Sequence, residues 1–232
     1  MLFGLGLLRA FRDPERAFLR GDIDAAWSGV APSLPSDLQA SLHSQGLDPR
    51  PRLAMISPTG VNPSSDALTI VSPKASVLEI RPELVWRARR GAVDEVRLFE
   101  GDSSEPLFEL DAGLARFDGR DNRVLLPAGF VLKARTSYRW EVEGPGGRAT
   151  VSFRRPSAEK RREIEESRRA IREATAPYDT LEAYLTALSD MRHGLKIDAW
   201  KRLEGLAARH PENEILTAAW RLASAEVGVS PR

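Results

Sequence analysis

The sequence predicts a mixed α and β protein of more than one domain. An antiparallel β-sandwich occupies the middle third, short helices precede it, and a helical bundle follows. Three observations carry this. The stretch from Thr136 to Glu143 alternates, with Tyr138, Trp140 and Val142 on one side and Arg139, Glu141 and Glu143 on the other, the period of a half-buried strand. Short apolar runs punctuated by Gly, Pro, Asp and Asn repeat from residue 67 to 155. Beyond Pro156 the apolar period changes to that of a helix.

The order of elements follows from local chemistry. Asp13-Pro14 reads as an N-cap followed by proline in the first helical position, with a helix through Arg20 stopped at Gly21. Arg20-Gly21-Asp22 spells an adhesion tripeptide, but a helix break is the better account of three residues. A short helix over 23–28 follows. Ser36 caps a further helix through Gln45, with Leu38 and Leu42 on its apolar side. Residues 1–46 are thus read as an N-terminal helical segment. Residues 47–66 are rich in turn formers and read as a linker with one extended piece at 53–56.

Candidate strands are 68–71, 77–80, 83–88, 93–100, 107–110, 123–126, 136–143 and 148–154. Gly144-Pro-Gly-Gly147 makes the last two a hairpin. Each strand leaves one apolar face to bury, which requires two sheets packed face to face. Trp86, Tyr138, Trp140, Val142 and Phe153 are the predicted core. Residues 156–232 form the helical tail. Residues 158–176 are densely charged with both signs, a solvated helix capped by Ser157. Three amphipathic helices follow, carried by Leu181/Tyr184/Leu185/Leu188, Trp200/Leu203/Leu206 and Leu216/Ala219/Trp220/Ala223. Their apolar faces nominate Tyr184, Leu188, Trp200, Leu203 and Trp220 as a groove for a partner.

Two resemblances rest on these residues. Trp86 and the pattern Leu132…Thr136-x-Tyr138-x-x-x-Val142 make residues 67–155 similar to a fibronectin type III-like, immunoglobulin-like domain. The resemblance implies that the Tyr138 hydroxyl bonds back to upstream backbone. Trp140, a second indole in that core, and the apolar run Phe130 to Leu132 depart from the family's pattern. Ala187, Gly194, Ala199, Leu203 and Pro211 make the following hairpin resemble one tetratricopeptide-like repeat. Gly21-x-x-x-x-Ala26-Trp27 echoes Gly194-x-x-x-x-Ala199-Trp200, so the N-terminal helices read as a second, degenerate hairpin. The layout resembles that of bacterial, often membrane-tethered proteins, and implies scaffolding or regulation in an envelope-linked assembly.

The chemistry is sparse. The chain has no cysteine, which removes disulfides, thiolate metal sites and cysteine nucleophiles. Lys plus Arg total 34 against 33 Asp plus Glu, a balance that argues against nucleic acid as partner. His43, His193 and His210 lack the spacing of a helical metal site. The acidic turn Asp118-Gly-Arg-Asp121-Asn122 lacks the length of a calcium loop. No catalytic residue, cofactor or metal is expected. A non-enzymatic protein-binding role ranks first, a carbohydrate- or polymer-binding module second, an enzyme third. Residues 1–11 read either as a short docked helix or as a membrane-surface anchor, the tail of a longer span included. They fit neither a cleavable signal nor a full transmembrane span. A cytoplasmic place is the default, and an envelope-linked one follows from the layout.

Overall fold

In the computed structural model, residues 13–44, 46–51, 68–88, 93–117, 121–145 and 147–229 are described. The expectations for residues 1–11 and for an extended piece at 53–56 fall outside them. The chain forms two compact units: residues 58–161, and residues 1–57 together with 162–232.

The first unit is built of two sheets. Strands β1 (Thr69–Ser72), β3 (Glu83–Arg87), β7 (Asn122–Leu125) and β6 (Arg116–Phe117) form a four-stranded sheet in the order β1-β3-β7-β6. Strands β2 (Ala75–Ser76), β9 (Gly147–Arg154), β8 (Ser137–Gly144), β4 (Glu95–Glu100) and β5 (Phe108–Asp111) form a five-stranded sheet in the order β2-β9-β8-β4-β5. Neither sheet closes into a barrel. All pairings are antiparallel except β2 with β9. The chain therefore changes sheets between Ser72 and Ala75. Trp140 pins that crossing by donating its Nε1–H to the Pro73 carbonyl at 3.1 Å.

The alternation of β8 places Tyr138, Trp140 and Val142 in a core shared by both sheets, with Leu84 and Trp86 from β3, Val96 and Leu98 from β4, and Phe153 from β9. The Trp86 and Trp140 rings meet edge to face at 6.4 Å, and Tyr138 stacks on Phe153 at 5.6 Å, both favoured aromatic arrangements. The opposite face of the five-stranded sheet is a mesh of charges. Arg97 pairs with Glu95, Glu109 and Glu143, and Arg148 with Glu141 and Glu143. These pairs are half-buried to exposed, and surface pairs contribute little to stability each, so their main effect is to keep that face polar.

Tyr138 also fixes the approach to β8. Its hydroxyl accepts the Lys133 N–H at 2.7 Å, five residues upstream. Tyr138→Phe is expected to destabilise the β unit by about 1–2 kcal/mol, because the Lys133 N–H then loses its acceptor. Hydrogen exchange of the β8 amides measures this. An unchanged opening free energy would mean that water replaces the hydroxyl at no cost.

The second unit joins both ends of the described chain. Helices α1 (Pro14–Leu19), α2 (Ile23–Val30) and α3 (Ser36–Ser44) come from the N-terminal side. Helices α4 (Ala158–Thr175), α5 (Asp179–Arg192), α6 (Lys196–Arg209) and α7 (Glu214–Val227) come from the C-terminal side, and the boundary between units falls inside α4. Two of the expected caps form, while Ser36, expected as a cap, is itself the first residue of α3. Asp13 accepts from the Arg16 N–H at 3.0 Å, and Ser157 Oγ from the Lys160 N–H at 3.1 Å. Asp22 likewise accepts from the Ala25 N–H, so Arg20-Gly21-Asp22 is a helix junction, with Gly21 at φ +82°. Among the described residues no helix is long and apolar enough to cross a membrane.

Candidate functional site

The residues nominated as a partner groove lie together in the helical unit. Tyr184 and Leu188 sit on α5, Trp200 and Leu203 on α6, and Trp220 on α7. Four of the five are buried and Trp220 is half-buried. On one side α5, α6 and α7 pack in succession, and Trp200 Nε1 donates to Ser224 Oγ at 3.0 Å across α6 and α7. On the other side α1 and α3 lie against α5. The Phe18 ring is 4.8 Å from that of Tyr184. The Tyr184 hydroxyl donates to the Leu47 carbonyl at 2.6 Å, and burial pushes its phenol well above the usual tyrosine range. α5 is consequently buried on every side from Tyr184 to Asp190. Tyr184 is thus covered by the N-terminal side of the same chain, and Trp200 by α7.

Two polar groups hold this arrangement. Asn213 is 3% exposed and serves both ends of the unit. Its Oδ1 accepts the Leu216 N–H at 3.0 Å, which caps α7, and its Nδ2 donates to the Phe18 carbonyl at 3.1 Å, at the end of α1. Asn213→Ala is expected to cost about 2–3 kcal/mol, the sum of a lost cap and an unpaired buried carbonyl. Asn213→Ser, which keeps an acceptor for the cap, should cost less. Chemical denaturation of the two variants checks the order; equal losses would mean that the cap contributes nothing, and no loss in Asn213→Ser that the link to α1 contributes nothing.

The second group is Asp190, fully buried on α5. Arg168 of α4 reaches its Oδ1 with Nε at 2.9 Å and Nη2 at 2.8 Å. Arg202 of α6 approaches Oδ2 at 3.7 Å, and Arg168 also comes within 4.0 Å of Asp198. Burial pushes the Asp190 carboxyl above the usual range, and the two guanidiniums pull against that. Mixed charge along α4 read as a solvated helix, yet Arg168 turns inward, because a buried carboxylate one helix away demands a cation. Nothing in the spacing of α4 singles out Arg168 from Arg169. The lone Asp190 within an apolar helical face was the available signal.

The remaining candidates are structural in position. Asp121 of the acidic turn is buried and bonds Arg87 Nε at 3.0 Å, which commits its carboxylate to a guanidinium. Residues 118–120 of that turn lie outside the described residues. His43 is exposed, His210 half-buried, and His193 buried with its Nδ1 3.8 Å from Glu163. Among the described residues no group of three or more His, Asp or Glu gathers as a metal site would require. Trp86, Trp140 and Trp200 are interior, and Trp27 and Trp220 are half-buried.

What the described surface does offer is apolar and confined to the β unit. Ile80, Leu107, Leu114, Leu125 and Val131 are its exposed large hydrophobic residues, Leu114 the most open at 73%. They fall in two places. Leu107 and Leu114 flank β5. Ile80, Leu125 and Val131 gather where the Ile80 carbonyl accepts the Leu132 N–H at 2.9 Å and Arg81 donates to the Leu126 carbonyl at 2.6 Å. Sequence reading missed both places, because it assigned 77–80 and 107–110 to half-buried strands. No protein-family model and no curated protein sequence matches this chain.

Proposed function

We propose that this chain is a non-catalytic interaction protein, in which an immunoglobulin-like sandwich of the fibronectin type III kind presents the binding surface and a tetratricopeptide-like helical unit forms the other part of the chain. The strand orders β1-β3-β7-β6 and β2-β9-β8-β4-β5 support the sandwich reading, since they are the orders of a seven-stranded immunoglobulin-like domain with two added edge strands, β2 and β5. The bond from Lys133 N–H to the Tyr138 hydroxyl, at the start of the sixth main strand, supports it further. The single observation that carries the functional reading is the distribution of exposed large hydrophobic residues. All five of those among the described residues are on the β unit, and clustered exposed apolar residues mark interaction surfaces. A place in an envelope-linked scaffold remains the setting that the layout suggests.

A carbohydrate-binding module needs aromatic rings side by side on an open face. The positions of the tryptophans favour the protein-binding reading over that one. Affinity capture from native lysate tests it, with wild type beside a Leu125→Asp/Val131→Asp variant and a Leu107→Asp/Leu114→Asp variant. The reading expects a stoichiometric protein that wild type retains and one of the variants loses. Retention on polysaccharide with no protein partner would replace it with the second reading.

A further inference from the structure

We infer that the free edge of β5 is a docking site for an extended, cationic segment of a partner protein, which adds to the five-stranded sheet as a further strand. The inference rests on the protein-binding reading above and names its surface and the chemistry of its occupant.

β5 ends its sheet, and among the described residues it pairs with β4 alone. The register is Leu98↔Phe108 and Val96↔Leu110, and Ala112 N–H donates to the Asp94 carbonyl at 3.0 Å. Backbone groups alternate sides along an antiparallel strand. Phe108 and Leu110 therefore bond toward β4, while the N–H and C=O groups of Glu109 and Asp111 point away from it. An open edge of this kind is a template for another strand.

The surroundings choose the occupant. From Leu98 to Ala115 the chain carries Glu100, which pairs with Lys133 at 2.9 Å, and Asp102, Glu105, Glu109 and Asp111, with no Lys, Arg or His of its own. Asp102, Glu105, Glu109 and Asp111 are exposed. Arg97 reaches Glu109 only at 3.5 Å, and the Glu109 side chain is 53% exposed. A second copy of the chain laid on this edge would set Glu109 and Asp111 against their own counterparts, and like charges across a strand pair are unfavourable. A segment bearing Lys or Arg at alternate positions meets the opposite charge at every outward residue. Leu107, 45% exposed, and Leu114, 73% exposed, stand at the two ends of the strand and offer apolar contacts to its flanks. Charged residues on an edge also deter chance pairing. Here all of them are acidic, so they deter neutral and acidic strands and select basic ones.

The experiment uses the full chain and a fluorescent synthetic peptide of alternating Arg and Val, with an alternating Glu and Val peptide as control. Anisotropy titration is expected to show binding of the Arg peptide, at least tenfold weaker in Glu109→Lys/Asp111→Lys and weakened by salt. Amide shifts in the wild type should centre on residues 107–114. Asp111→Pro removes one outward N–H at a φ of −60° that proline accepts, together with the Asp111 charge, and should weaken binding more than Asp111→Asn, which removes the charge alone. Absence of binding to wild type, or equal binding to the charge-reversed variant, overturns the inference. If lysate capture still yields a stoichiometric partner that the charge-reversed variant retains, the protein-binding reading survives and the β5 edge does not. If no variant and no wild type retains any partner, both fail.

Discussion

Trp140→Ala is expected to remove about 4–5 kcal/mol from the β unit, close to the whole stability of many domains of its size. The indole is fully buried, packs edge to face with Trp86, and holds the Pro73 carbonyl where the chain leaves one sheet for the other. Truncation opens a cavity between the sheets and strips a buried carbonyl of its donor. Trp140→Phe separates the two effects, since it keeps an aromatic ring and loses only the N–H and part of the volume, at a cost of about 1–2 kcal/mol. Hydrogen exchange of amides in β3, β4 and β8 reports the opening of this unit independently of the helices. A loss below about 1 kcal/mol for the alanine variant would show that Trp140 is not central to the joint between sheets.

Arg168→Met is expected to destabilise the helical unit by about 3–5 kcal/mol at neutral pH. It leaves the fully buried Asp190 carboxylate with only the more distant Arg202. The pH dependence has a definite sign. Burial raises the Asp190 carboxyl in the folded protein above its unfolded value. The folded state therefore holds that proton more tightly, so the carboxyl's contribution is most favourable below the unfolded value of about 4 and declines as pH rises through the folded value. Loss of Arg168 raises the folded value further, so the penalty of Arg168→Met should shrink as pH falls. Urea denaturation across pH 4–8 measures it. A second change, Asp190→Leu, should restore most of the loss at neutral pH, because the buried ion is then gone. A penalty that stays constant with pH would mean that Asp190 does not change its protonation between pH 4 and 8 in the folded unit.

How much of this was legible depends on where the determining contact lies. The strand at Ser137–Gly144 and the hairpin into Gly147–Arg154 were readable because alternation and a Gly-rich turn are local. The helix starts at Asp13, Ser36 and Ser157 were readable for the same reason. The region expected as a strand at 77–80 forms none. The sheet partner is instead the two-residue Ala75–Ser76, whose parallel pairing with β9 is set by a strand distant in sequence. β6, two residues long, carries no pattern of its own. The echo between Ala26-Trp27 and Ala199-Trp200 hinted that both ends of the chain are helical hairpins, but not that they share one unit. That sharing is fixed by Asn213 with Phe18 and Tyr184 with Leu47, pairs that no local window can contain. The five groove residues show the same limit, since helical periodicity marks an apolar face and says nothing of what covers it.

The contact between Tyr184 and Leu47 spans 137 residues. A ribosome adding about 5–20 residues per second would release Leu47 roughly 7–27 s before Tyr184 exists to meet it. Throughout that interval Phe18 of α1 and Leu42 of α3, fully buried in the finished molecule, have no α5 to lie against. The nascent chain thus carries an adhesive N-terminal stretch while the sandwich is already being completed. Biosynthesis of this protein should accordingly be sensitive to whatever shields apolar segments during translation, and more so than its modest size suggests.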